Sequence, residues 1–232
     1  MLQRLDVRGF TGDVAERLPA PTAGGAGPVE VVADIIAEVA AHGDTALRTF
    51  TERFDGVRLD DVVVSAADVA TAPDRIDPEL RAALQVAADR VRAFHEHQFA
   101  ETAHAAAFVD DTGLAVDTVF RPVVAAACYV PGGLAVYPST VLHTAIPARV
   151  AGVERVVVCV PPQADGKVPD VTLAACAIAG VDEVVSVGGA QAIAAVAYGT
   201  ESIRPVDVIV GPGNIYVALA KRAVADRVGI PN

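Results

Sequence analysis

From Val29 the apolar positions of the chain fall on one helical face, with Val32, Ile35, Ile36 and Val39 at i, i+3, i+4 and i+7. Gly43 is placed to end that helix. Asp44 can cap a second one that carries Leu47, Phe50 and Phe54 on one side and closes at Asp55-Gly56. "DVVVS" (Asp61 to Ser65) reads as a short strand. Pro78, in a first-turn position, opens a long helix with the stripe Leu80, Leu84, Ala87, Val91 and Phe94. Within "AFVDDTGLAVDTVFRPV", Asp110-Asp111-Thr112-Gly113 predicts the turn of a β-ribbon.

Beyond about Arg121 the apolar pattern becomes continuous. Four runs stand out: "PVVAAACYV", "RVVVCVPP", "DEVVSVGG" and "VDVIVGPG". A strand buried on both faces loses the alternation of a half-exposed one, so these runs predict a parallel sheet covered on both sides by helices. Their spacing of roughly 25–30 residues is that of βα units. Residues 127–232 are therefore expected to form a doubly wound, Rossmann-like α/β module. Residues 28–126 read as a mainly helical, partial α/β domain, and residues 1–27 as a short arm with the linker "PAPTAGGAGP" (Pro19 to Pro28).

Three strand exits of that module carry unusual turns: "CYVPGGLAVYPST", "VGGAQAIAAVAYGTES" and "VGPGNIYVALAKR". In open parallel sheets ligands collect at the carboxyl ends of the strands. Glycine there permits close approach, and the N–H groups of the following helix suit a pyrophosphate or carboxylate. Tyr129, Gln191 and Asn214 are the polar side chains at these exits. Singly, such glycines only make turns, and such an asparagine is an N-cap; three together point to a small-molecule or nucleotide site. Neither GxGxxG nor GxxxxGK[ST] is present, so the residues alone do not name the ligand.

Composition narrows the partners. Of 232 residues, 53% are apolar and 20% charged, and Lys+Arg 18 against Asp+Glu 29 gives a net charge of −11. That balance argues against nucleic acid and anionic membranes, which select clustered Lys and Arg. Cys128, Cys159 and Cys176 lie in apolar runs without CxxC spacing and read as reduced core residues of a cytoplasmic protein. The N-terminus has no signal-peptide pattern, and no apolar run approaches a membrane span. His95 and His97 point to different sides of the long helix, His143 reads as a packing or polar contact, and His42 and His104 stand alone. No nucleophilic triad and no zinc signature can be drawn.

The strings "YVPGGLAVYPSTVLHTAIPARVAGV", "VGGAQAIAAVAYGTES" and "VDVIVGPGNIYVALAKR", in this order, closely resemble histidinol dehydrogenase. Upstream, "FTERFDG" and "RAFHEHQ" extend the likeness over nearly the whole chain, the arm being its weakest part. The resemblance implies oxidation of L-histidinol through L-histidinal to L-histidine, with two NAD+ and a zinc ion. It also implies a homodimer of subunits with two related α/β domains, and Tyr129, Gln191 and Asn214 as NAD contacts. Family members are longer, and the segments that carry their zinc ligands and acid–base pair have no counterpart before "VGIPN". The expectation is an NAD module from the family's N-terminal half, inactive alone. The competing readings are a non-catalytic nucleotide-binding or assembly module and one half of a split enzyme. Another dehydrogenase or a phosphosugar enzyme would need a catalytic residue that is not found.

Overall fold

The computed structural model describes residues 5–18, 26–103, 108–132 and 135–231. Most of the linker, His104 and the second glycine of "YVPGG" lie outside the described residues. Helix α1 spans Ala26–Asp55, but Gly43 breaks it at φ 50°, ψ −130°, so the two helices read from the sequence are two arms meeting at a kink. Val32, Ile35, Ile36, Val39, Leu47 and Phe50 are buried as the periodicity requires, whereas Phe54 remains half exposed.

Asp44 does not cap its own helix as expected. Its carboxylate accepts from the Ser202 hydroxyl and backbone N–H, while Glu201 accepts the Asp44 N–H at 2.8 Å. Burial pushes the Asp44 carboxyl up, but its bonds to Ser202 and Thr200 outweigh that and hold it below the usual range. The kink is thereby tied to a loop far along the chain, a partnership that no local pattern could reveal.

Helix α2 (Ala66–Thr71), capped by Ser65, leads to α3 (Pro78–Ala103), whose first turn is capped by the Asp77 carboxylate. Of the expected α3 stripe, Leu84 is buried, but Leu80 and Phe94 face outward. Strands β1 (Phe108–Val109) and β2 (Ala115–Val116) form the predicted antiparallel ribbon. The Asp110 carboxylate accepts the Thr112 and Leu114 N–H groups across its turn.

The remaining elements alternate. Strand β3 (Ala125–Tyr129) is followed by α4 (Pro138–Val150), β4 (Arg155–Cys159), α5 (Asp170–Ala179) and β5 (Glu183–Val185). Then come α6 (Gly189–Tyr198), β6 (Val208–Val210) and α7 (Ile215–Ala223). All four strands are parallel, in the order β5-β4-β3-β6. Ala125, Ala127 and Tyr129 enter one core with α1, α6 and α7, and Ala126, Cys128 and Val130 enter the other with α3, α4 and α5. Burial on both faces is why these runs read as continuous. Helix α6 lies between α1 and the sheet, and its residues Ala190 to Ala197 are all buried.

Two segments extend the sheet by single bridges. Val63, in the expected strand "DVVVS", pairs antiparallel with Val185, and Gly229 pairs parallel with Val208 on the opposite edge. The Gly229 pairing had no sequence signal, because one bridging residue makes no pattern.

Candidate functional site

The strand order reverses between β3 and β6: β3, β4 and β5 run outward in one direction, and β6 returns to the other side of β3. Crossover helices diverge to opposite faces at such a switch point, leaving a crevice beyond the strand ends. Tyr129 ends β3 there, Gly211 follows β6, and the N-termini of α6 and α7 open onto the same edge.

Tyr129 is buried, and its phenolic oxygen accepts the N–H of Gly189, the first residue of α6, at 3.0 Å. Its own proton remains for a further acceptor. Burial pushes the Tyr129 hydroxyl up, and the Asp55 charge adds to the shift, so the phenol stays protonated. Gly189 takes φ 64°, and a side chain there would collide with the Gln191 amide, 2.6 Å from a β-carbon. Gln191 is almost wholly buried, just inside the first turn of α6.

Asn214 caps α7 through its Oδ1, which accepts the Val217 N–H at 3.1 Å. The capping and contact roles are compatible, since the Nδ2 group is left to donate outward. Ahead of it, Gly211 has φ 98°, and a β-carbon would stand 2.1 Å from the Tyr129 carbonyl oxygen. Only glycine lets the two strand exits approach this closely. Lys221, in the last turn of α7, donates from Nζ to the Gly211 carbonyl at 2.6 Å and braces the turn. Its half-burial pushes the ammonium pKa down.

These exits enclose a cavity of about 450 Å³ that Tyr129, Gln191 and Asn214 all line. Gly132, Pro161 and Pro162 form another part of its wall, and Tyr216 stands near Asn214. The fourth side comes from α1: Val31, Ile35, Phe54 and Asp55. Sequence reading singled out the three strand-exit side chains but missed this α1 wall. The signal for it was faint, an acid just before the glycine that ends a helix. Other candidates stay apart: His143 is exposed on α4, His42 pairs with Glu38, and His95 bonds Gln98.

The three cysteines are buried and unpaired, and desolvation pushes Cys128 up to about 11 and Cys159 to about 12. At neutral pH such thiols stay protonated and serve as packing. Among the described residues no helix is long and apolar enough to cross a membrane.

A family model described as histidinol dehydrogenase matches residues 24–232. The histidinol dehydrogenase of Methanothermobacter thermautotrophicus is 49% identical over 201 residues, covering 86% of this chain and 46% of that protein. That of Cereibacter sphaeroides is 48% identical over 234 residues, covering 99% of this chain and 53% of its own. The crystal structure of histidinol dehydrogenase from Elizabethkingia anophelis matches with a TM-score of 0.80 at 30% identity, over 92% of this chain and 48% of that one. The chain thus spans about half the length of the curated relatives it matches.

Proposed function

The chain belongs to the histidinol dehydrogenase family, and from that membership we propose that its switch-point cavity binds NAD+ for the oxidation of L-histidinol, through L-histidinal, to L-histidine. The observation that carries this reading is the meeting of Tyr129, Gln191 and Asn214, from three separate strand exits, around one cavity. Bound NAD+ would supply the hydride acceptor. The N–H groups that open α6 and α7 favour the pyrophosphate, since partial positive charge gathers at helix N-termini. Asn214 donates from Nδ2, Tyr129 offers the phenol proton that Gly189 leaves free, and Gln191 presents an amide from inside the wall.

The family's zinc does not fit the residues on hand. Among the described residues, no three His, Cys, Asp or Glu side chains gather as metal ligands. Cofactor binding is the part of the chemistry that these residues support. That favours, as second reading, a chain that binds the nucleotide and turns over only with further protein supplied in trans. In either reading residues 127–232 form the NAD-contacting unit, with residues 28–126 covering it as part of a discontinuous α/β domain.

We place the protein in the cytoplasm, which suits three unpaired buried cysteines. We assign it a homodimer, supported by apolar side chains left facing solvent on the ribbon and the segment after it: Phe108, Leu114, Val119 and Phe120.

Titration calorimetry with NAD+ tests the reading. Saturable binding below about 1 mM, the upper end of ordinary enzyme affinities, is expected, together with a rise in Tm as NAD+ is added. NADH formation from histidinol and zinc then separates turnover from binding alone. Absence of any saturable NAD+ signal sinks the proposal.

A further inference from the structure

Asp55 is the last residue of α1, and everything the fold gives it is unfavourable. A helix C-terminus carries partial negative charge, so a carboxylate there is repelled by the backbone. The group is half buried, and its Oδ2 is shut off from solvent with no hydrogen-bond partner. Desolvation pushes its pKa up. The cations beside it are engaged elsewhere: Arg58 bonds Glu52 at 2.7 Å, and the Arg53 guanidinium lies over the Phe54 ring. Among the described residues Asp55 forms no ion pair. A half-buried carboxylate without donors costs free energy, and since Oδ2 has no surface that a ligand could touch, Oδ1 is the oxygen left for a donor from outside the protein.

That donor would enter the cavity, because Asp55 lines it together with Tyr129, Gln191 and Asn214. The polarity of the walls sorts the parts of a dinucleotide. Helix N-termini on the strand-exit side take the anionic pyrophosphate. The α1 wall presents a carboxylate and the carbonyl end of a helix, which repel an anion and accept from neutral donors. The open Oδ1 has two lone pairs, which can accept from two adjacent hydroxyls on one sugar. A phosphate ester on either hydroxyl would bring like charges together at short range.

Building on the proposed NAD site, we propose that Asp55 accepts hydrogen bonds from the 2′- and 3′-hydroxyls of the adenosine ribose and thereby selects NAD(H) over NADP(H). The ribose diol completes the coordination that the fold leaves open, and the 2′-phosphate of NADP(H) meets a charge it cannot displace. Acidic selection of a ribose diol is a general device of dinucleotide sites. Here the acid comes from the end of α1, on the far side of the cavity from the sheet.

The test measures Kd for NAD+ and NADP+ with the 232-residue chain, Asp55→Asn and Asp55→Ala, each checked by far-ultraviolet circular dichroism. The unaltered chain is expected to prefer NAD+. Asp55→Asn should weaken NAD+ about 10- to 100-fold, the range of a charge-assisted hydrogen bond, and should narrow the preference by at least about tenfold. Its Tm should rise, since the substitution removes a charge that the fold does not satisfy. Should Asp55→Asn fold poorly, Asp55→Ala provides the same ratio without the amide. Equal binding of both nucleotides by the unaltered chain overturns the inference and leaves the NAD reading standing. So does a ratio unchanged by the substitutions, including one in which both affinities fall alike, as a nicotinamide-ribose contact would give. If the unaltered chain binds neither nucleotide, the NAD reading fails and this inference falls with it.

Discussion

Tyr129 and Gly189 meet across the end of the sheet, the phenolic oxygen of the one accepting the backbone N–H of the other at 3.0 Å. The bond joins the tip of β3 to the first turn of α6, which follows β5 two strands away. A sequence separation of 60 residues is closed at the point where the nucleotide is expected. The tyrosine thus fixes the position of a helix N-terminus whose unpaired N–H groups are the proposed phosphate donors.

Tyr129→Phe keeps the buried ring and removes the oxygen. Gly189 N–H then loses its partner, so stability should fall by about 1 kcal/mol. NAD+ affinity should fall about tenfold, because both the phenol proton and the helix placement go together. Urea unfolding and calorimetry read the two effects separately. Unchanged NAD+ affinity in a folded variant would remove Tyr129 from the site.

Gly211→Ala tests the close approach of the two strand exits. At φ 98° the new side chain starts strained, and its β-carbon would lie 2.1 Å from the Tyr129 carbonyl oxygen, so β3 and β6 must part. A loss of at least about 3 kcal/mol is expected, near the top of the usual range for one substitution. Lys221, which braces this turn through the Gly211 carbonyl, cannot hold it against such a clash. A urea midpoint within error of the parent chain would show that the two exits can part without cost.

Much of this frame was legible because burial writes itself into sequence. Ala125 to Tyr129 alternate between two cores, and both are apolar, so the strand shows as an unbroken run. The α1 stripe shows because Val32, Ile35, Ile36 and Val39 face one core, shared with α6 and α7. Leu80 and Phe94 obeyed the same periodicity yet stay exposed, since a stripe marks a face and not what covers it. Tyr129, Gln191 and Asn214 could be read because each lies at or a few residues beyond the end of a strand, beside a glycine turn. Asp55 could not: its meaning lies in α1 ending at the cavity beside the strand exits, a tertiary fact that the local string "RFDG" does not contain.

Asp44→Ala removes the carboxylate that ties the α1 kink to the loop before β6. Leaving those groups without their partner should cost about 1–3 kcal/mol at neutral pH. The folded-state pKa of Asp44 lies below its ordinary value, so its contribution is present above the unfolded pKa and is lost as pH falls through the folded one. The gap between parent and variant should therefore close in acid. A gap that stays constant in urea titrations from neutral pH into the acid range would assign the effect to packing and not to the charge.

Asp55→Asn should show the reverse sign. The folded-state pKa of Asp55 is raised, so the protonated group contributes stability that is fully present below its unfolded value and lost as pH rises through the folded one. Above that window the ionised carboxylate is a burden, and the asparagine variant should be the more stable protein. As pH falls, the advantage should shrink and disappear. Tyr129, which lines the same cavity as Tyr216 and Asp55, keeps its proton throughout, because burial raises its pKa further from the range tested. Other carboxylates titrate alike in both proteins and cancel in the difference. Saturating NAD+ should erase the advantage at neutral pH, since bound hydroxyls favour the ionised carboxylate. Urea midpoints of both proteins across pH, with and without NAD+, measure all of this. An asparagine variant that is less stable at neutral pH would mean that Asp55 is satisfied within the fold and has no open coordination to offer a ligand.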